Sequence, residues 1–265
     1  MIIIVQIITF MPEKKLLSAD KKIRNRNIAI ISVILCLFVS FILFLLLPGI
    51  SSVSKGIADF SGNAIKKGET ISLNGDWEFY WNKLLSHEDF LSPDKPVPDM
   101  YIGVPGSWAD NNAGDKKYPD MGYGTYRAVI NIPDGLKQPA LKMRNVVNAY
   151  RLYANGDLIA ELGTVSETAA TFKSDFKHIV ALLPGNGGGE VEIIMQVANF
   201  DYTRGGIREG IIFGELKDIE DKAATTMVIQ IFCIGFAFAI GMFYLFIFLL
   251  WRKKQSFYFL QYYAS

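Results

Sequence analysis

Two apolar blocks bracket a long stretch of ordinary soluble character. The first, IAIISVILCLFVSFILFLLL from Ile28 to Leu47, carries no charge. About 20 such residues are what a helix needs to cross roughly 30 Å of hydrocarbon. The second runs from Thr225 to Trp251, with Gln230 as its one strongly polar interior residue. It is longer than the hydrocarbon requires, so some tilt is expected. Between the blocks the period changes to that of strands. In YGTYRAVINIP (123–133), Tyr126, Ala128, Ile130 and Ile132 share one face, and Arg127, Val129 and Asn131 the other. AYRLYANGDLIAELG (149–163) reads as a hairpin, because Asn155-Gly156 supplies the positive φ angles of a two-residue turn. Further short strands are expected in 72–81, after a turn at Asn74-Gly75, and in 101–108, 140–146, 176–184, 189–200 and 209–216. The stretch 52–67 reads as a linker or an irregular first strand.

No gap holds the crossover helix of ten or more residues that a parallel α/β fold needs. The fold class expected is therefore an all-β extracytoplasmic sandwich flanked by transmembrane α-helices. ELKDIEDKAATT (215–226) is expected to be helical and to run into the second span. A stiff junction of that kind transmits a tilt or rotation better than a Gly/Ser linker.

Charge sets the orientation. Lys14, Lys15, Lys21, Lys22, Arg24 and Arg26 precede the first block, and Arg252, Lys253 and Lys254 follow the second. Cationic flanks mark the cytoplasmic side. The chain divides accordingly into a cytoplasmic leader (1–27), a first transmembrane helix (28–50), an extracytoplasmic ligand-binding sandwich (51–222), a second transmembrane helix (223–251) and a cytoplasmic loop with the start of a further helix (252–265), which makes it a multi-pass protein of the plasma membrane. Met11 opens a more usual basic leader and is an alternative start; a cleaved signal peptide is the competing reading of the first block, but no A-x-A pattern follows it.

Composition narrows the chemistry. The formal net charge of +1 sets up no field that would gather nucleic acid. The two cysteines, Cys36 and Cys233, fall one in each span, so the outer portion has no disulfide and relies on its own core. His87 and His178 are the only histidines, too few for a His-rich metal cage. GNGGGE (185–190) precedes a strand rather than a helix and reads as a turn, not a phosphate loop. No cofactor is expected.

LNGDWEFYW, VPGSW, GYGTYRAVINIP and AYRLYANGDLIAELG, in that order, resemble the jelly-roll sugar-binding domain at the start of family 2 glycoside hydrolases. They resemble more closely the extracytoplasmic domain of bacterial seven-transmembrane receptors with diverse intracellular signalling modules, and ANFDYTRGGIREGIIFGEL fits the end of that domain. The resemblance covers about residues 70 to 265. It implies a galactose-binding-like jelly roll outside, followed by the first helix of a seven-helix bundle, with the chain read as a fragment that stops before any kinase or cyclase output or, alternatively, as a reduced form that acts through a partner. In the hydrolases the catalytic carboxylates lie in a separate barrel that this chain lacks, so the chain itself is not expected to be an enzyme.

A sugar offers C–H faces that stack on aromatic rings and hydroxyls that pair with Asn, Asp and Arg. Two long polar loops with aromatics, 107–124 and 199–209, are the expected binding loops. The ligand-binding candidates are Trp108, Asn111, Asn112, Tyr123, Asn199, Tyr202, Arg204 and Arg208, with Tyr118 a further ring. Trp77 and Tyr126, on strands, are expected in the core, and Trp108 is divided between the two roles. Gly235 and Ala239, like Ala237 and Gly241, have the spacing that lets helices approach closely in lipid, so homo-oligomers or partner helices are expected there. Three functions follow: a sensor for a small, carbohydrate-like ligand, a tethered carbohydrate-binding or scaffold module without signalling, or a non-catalytic subunit of a surface glycoside-processing complex.

Overall fold

The computed structural model describes residues 52–62, 68–113, 116–143, 148–185 and 188–263, with Ile34 and Ser40, both helical. The rest of the first expected span and the leader lie outside the described residues. The chain divides into two compact units, and the second, Ile50–Ser265, holds the strands and the C-terminal helix.

Two sheets build it. The larger has the order β10-β9-β12-β7-β3-β4, formed by Asp157–Leu162 (β10), Ala149–Ala154 (β9), Gly189–Asn199 (β12), Gly122–Ile132 (β7), Gly75–Trp81 (β3) and Met100–Val104 (β4). All these pairings are antiparallel. The smaller has the order β11-β8-β13-β2, from Ile179–Leu182 (β11), Pro139–Met143 (β8), Ile211–Glu215 (β13) and Thr70–Ser72 (β2). The expected alternation is met in β7: Tyr126, Ala128, Ile130 and Ile132 are buried, whereas Arg127, Val129 and Asn131 are half-buried. The buried set joins Trp77, Phe79, Leu152, Ile193, Met195 and Val197 of the same sheet and Leu141, Met143, Ile211 and Phe213 of the other in one core. Asn155 and Gly156 close the β9–β10 hairpin with φ of 49° and 91°, the left-handed pair a two-residue turn requires.

Four features depart from the expectation. Ile57–Asp59 (β1), within the stretch read as a linker or an irregular first strand, is a strand, and it pairs with β7 in parallel in an otherwise antiparallel sheet. Asn112–Ala113 (β5) and Lys116–Lys117 (β6) form a separate two-stranded ribbon. A short helix, His87–Leu91 (α1), puts Phe90 against the outer face of the larger sheet. The fourth is the long C-terminal helix, Leu216–Tyr263 (α2), which is continuous. A cytoplasmic loop was expected from residue 252, but the helix runs through it, because Arg252-Lys253-Lys254-Gln255 contains neither glycine nor proline and all four are good helix formers.

Strand β13 ends at Glu215 and α2 begins at Leu216, with no linker between. The Leu216 N–H donates to the Gln138 carbonyl (2.9 Å), Ile219 is buried, and Lys222 Nζ donates to Thr70 Oγ1 (2.9 Å). Among the described residues α2 is the one helix long and apolar enough to cross a membrane, over Leu216–Phe246. Its apolar side chains, Phe232, Ile234, Phe236 and Phe238 among them, are exposed rather than packed on protein. A β-carbon added at Gly235 or Gly241 would meet open space.

Burial raises the phenols of Tyr126 and Tyr150, and burial together with the Glu78 carboxylate raises that of Tyr80, all above the ordinary tyrosine value of 10.0. A folded value above the unfolded one gives stability that is complete below about pH 10 and is lost as pH rises beyond it. The sandwich is expected to weaken by up to about 1.4 kcal/mol per pH unit for each such tyrosine above that point. Denaturant midpoints at pH 8, 10 and 11 would measure this, and Tyr126→Phe should flatten the alkaline decline.

Candidate functional site

The two loops singled out by sequence meet at one end of the sandwich. The Gly106 N–H donates to the Ile207 carbonyl (2.7 Å), and the Trp108 N–H and the Ser107 hydroxyl both donate to the Gly205 carbonyl (3.1 and 2.9 Å). Asn199 Nδ2 donates to the carbonyls of Asp120 (2.9 Å) and Tyr202 (2.8 Å), and its Oδ1 accepts from the Tyr202 N–H (3.1 Å). Asn148 Nδ2 adds a bond to the Gly206 carbonyl (2.8 Å). These links span the two loops with backbone and buried amides, so side chains projecting from them are held on a fixed frame.

Above that frame lies a groove of about 560 Å³, lined by Ala109, Asp110, Tyr118, Pro119, Asp120, Thr203 and Arg204. A turn of 3-10 helix, Trp108–Asp110, presents Asp110; it is capped by Ser107 Oγ, which accepts from the Ala109 N–H (3.3 Å). Arg204 Nη1 stands 3.6 Å from Asp110 Oδ2. Both side chains are more than half exposed, so the pair adds little stability and is open to exchange for a ligand. Burial, helped by the Asp99 carboxylate, raises the Tyr118 phenol above its ordinary value. The lining thus offers two carboxylate acceptors, one guanidinium, a threonine hydroxyl and a tyrosine. That inventory suits a polyhydroxylated ligand.

The eight sequence candidates fall in different places. Arg204 lines the groove, and Tyr202 and Arg208 are exposed on the same loop but outside the lining. Asn111 is half-buried and turned inward, Nδ2 donating to the Ser107 carbonyl (2.7 Å). Asn112 opens the β5–β6 ribbon, and its side chain lies outside the described residues. Tyr123 packs beside Ala149, Val165 and Ala198, away from the groove lining, and burial and then Glu167 raise its phenol. The divided reading of Trp108 falls to the core, and the expectation for Asn199 is corrected. Trp108 is fully buried: its ring stacks on Phe79 (6.2 Å), meets Trp81 edge-on (5.4 Å), and donates from Nε1 to the Pro119 carbonyl (2.9 Å). Asn199 is fully buried with its amide used by the loops. Each builds the groove from beneath rather than facing a ligand. Asp110, Asp120 and Thr203 lie inside the two loops and line the groove but were not among the candidates.

A second polar cluster escaped the sequence reading. On the outer face of the larger sheet, Arg127 donates from Nη1 to Glu78 Oε2 (2.8 Å) and from Nε to Glu192 Oε1 (2.6 Å). His87 Nδ1 meets the other Glu192 oxygen, and the Tyr80 hydroxyl donates to Glu78 (2.9 Å). The Arg127 guanidinium lies over the Phe90 ring, 4.6 Å from its centroid. Thr125 and Gln196 tie the covering segment down through the backbone of Lys83 and Leu85. Among the described residues no group of three or more His, Cys, Asp and Glu could hold a metal ion.

No family model matches the chain, and no curated protein does. Among solved structures it is similar to a β-glucuronidase from Ruminococcus gnavus in complex with D-glucuronic acid, with 16% identity over 55% of this chain and 29% of that one and a TM-score of 0.43. A second structure of that organism's β-glucuronidase gives 17% identity over 55% and 28%, with a TM-score of 0.41. A third gives 16% over 63% and 30%, with a TM-score of 0.43. The chain spans less than a third of the length of these enzymes.

Proposed function

We propose that this chain is a membrane-bound receptor of the bacterial seven-transmembrane type, with a galactose-binding-like jelly roll outside the plasma membrane that takes a small, carbohydrate-like ligand in the groove between the loops. The observation that carries the reading is one of connectivity. The segment holding Thr203 and Arg204 leads directly into β13, and β13 leads without a linker into α2. A ligand that binds two positions of that loop unequally would bias the helix below it through a strand of five residues. The basic flanks of the two apolar blocks support an outside position for the sandwich.

The test uses the full chain in nanodiscs and titration calorimetry with galactose, glucose, N-acetylglucosamine and their disaccharides. At least one is expected to bind. Arg204→Ala and Asp110→Asn should each weaken it tenfold or more without moving the melting temperature. Binding by neither the parent nor any variant, or equal binding by parent and Arg204→Ala, would remove the groove from the account. Hydrogen exchange of the amides in 216–226 should change on binding. Binding with no such change would favour an anchored carbohydrate-binding module without signalling.

A further inference from the structure

A second cavity, of about 580 Å³, differs from the first in its chemistry. It is bounded by the outer face of the smaller sheet and the first turns of α2. Lys142 of β8 stands between Val180 of β11 and Ile212 of β13, its register partners on either side, so the three share one face of the sheet. All three line the cavity, together with His178 and, from the helix, Lys222 and Met227. The lining contains two lysines and a histidine and no carboxylate; Asp218, Glu220 and Asp221 of the helix are outside it. Lys222 is held at the rim by its bond to Thr70 Oγ1, which uses one of three ammonium donors. Val180 and Leu182, alternate residues of β11, and Phe176 just before that strand are large apolar side chains left exposed beside this lining.

The depth of this cavity follows from the helix. The inner end of the apolar run is set by Trp251 and Arg252. About 20 residues of upright helix cover roughly 30 Å of hydrocarbon and a tilted one takes more, which puts the outer boundary between residues 225 and 231. The helical part of the lining, from Ile219 to Gln230, then straddles that boundary, with Lys222 on its headgroup side. A site with apolar walls, a basic lining and that depth matches an anionic phospholipid in both charge and position.

We propose that this cavity holds the headgroup of an anionic phospholipid from the outer leaflet, with Lys142, Lys222 and His178 around the phosphate and Val180, Ile212 and Met227 against the glycerol and upper acyl carbons. The proposal rests on α2 crossing the bilayer. Because the lipid touches both β8 and α2, it would fix the angle at which the helix leaves the sandwich.

The experiment reconstitutes the full chain into nanodiscs of phosphatidylcholine with one-quarter phosphatidylglycerol, each lipid supplied in turn as a trace photoactivatable analogue with its diazirine near the glycerol. Cross-linked peptides are mapped by mass spectrometry. The phosphatidylglycerol probe is expected to label peptides covering 176–182 and 219–230 at least fivefold more than the phosphatidylcholine probe. The double variant Lys142→Gln/Lys222→Gln should bring that ratio to near one, whereas Lys142→Arg/Lys222→Arg should retain it. Equal labelling by the two probes, or selectivity that survives the glutamine variant, would overturn the proposal. Loss of labelling on adding millimolar glycerol 3-phosphate would assign the site to a soluble phosphate and overturn the lipid. Release of the chain from membranes by alkaline carbonate would instead remove the spanning helix, and the lipid site with it.

Discussion

Gly205→Ala is expected to cost the sandwich about 3 kcal/mol or more, which is beyond most single overpacking changes. A β-carbon at Gly205 would fall 1.9 Å from Trp108 Cζ2 and 2.4 Å from Cε2. The ring has nowhere to go, because Phe79 and Trp81 flank it and its Nε1 is bonded to the Pro119 carbonyl. The loop must therefore lift, which breaks the bonds that the Gly205 and Ile207 carbonyls accept from Trp108, Ser107 and Gly106. Each such bond is worth about 0.5–1.5 kcal/mol. For a domain of this size the melting temperature should fall by about 6–12 °C, read by circular dichroism of the strand signal. The groove opens between the same loops, so the saccharide binding proposed for it should be lost along with stability. A melting temperature within about 2 °C of the parent would show that Trp108 is not clamped as described. Trp108→Leu in the Gly205→Ala background should restore part of the loss, since the clash is steric and the smaller side chain leaves room for it.

Arg127→Met should be nearly as damaging, for an electrostatic reason. It leaves Glu78 and Glu192 on one face of the sheet with no guanidinium between them. Their side chains are 17% and 10% exposed, and that of Arg127 is 20% exposed, so water compensates only in part. Removing one partner of a buried ion pair costs about 3–5 kcal/mol; with some solvent present, a loss of about 2–4 kcal/mol is expected in a denaturant midpoint at pH 7. Arg127→Lys should recover less than half, because one ammonium cannot reproduce the two forked bonds. The triple variant Arg127→Met/Glu78→Gln/Glu192→Gln should regain most of the stability, since no unpaired charge remains. Burial by itself would lower the Arg127 value, but its bonds to Glu78 and Glu192 outweigh this and raise it. Stability from a raised value is present at every pH below the ordinary arginine range and is lost only in strong alkali, so the parent should show no decline from this residue across neutral pH.

Much of the architecture was legible from local pattern. Alternation in 123–133 and the Asn155-Gly156 turn are properties of neighbouring residues; the first placed β7 with the correct faces, and the second placed the β9–β10 hairpin. The unbroken apolar run placed α2, although its helical extent exceeds the run in both directions. Segments too short to show a period, β1, β2 and the β5–β6 ribbon, gave no comparable signal, since two or three residues take strand geometry only from the partner they pair with. The loops 107–124 and 199–209 were legible as long, polar and aromatic, and they are the two that meet beside the groove. Which of their residues face outward was not: Trp108 and Arg204 both have the chemistry of a ligand contact, yet one is fully buried and the other lines the groove.

The amino-acid sequence by itself determined the class of fold, the existence of a membrane-length helix and the stiff junction above it, because periodicity and apolar length are settled within a few turns or strand repeats of chain. Tertiary structure alone decided that Glu78, Arg127 and Glu192 form one network, that Gly205 must stay without a side chain, and that Lys142, His178 and Lys222 line a common cavity. Arg127 lies 49 residues from Glu78 and 65 from Glu192 in the chain, and no local pattern encodes an encounter over that distance. Sheet register brings such groups together, and register is set by the burial of the whole core at once.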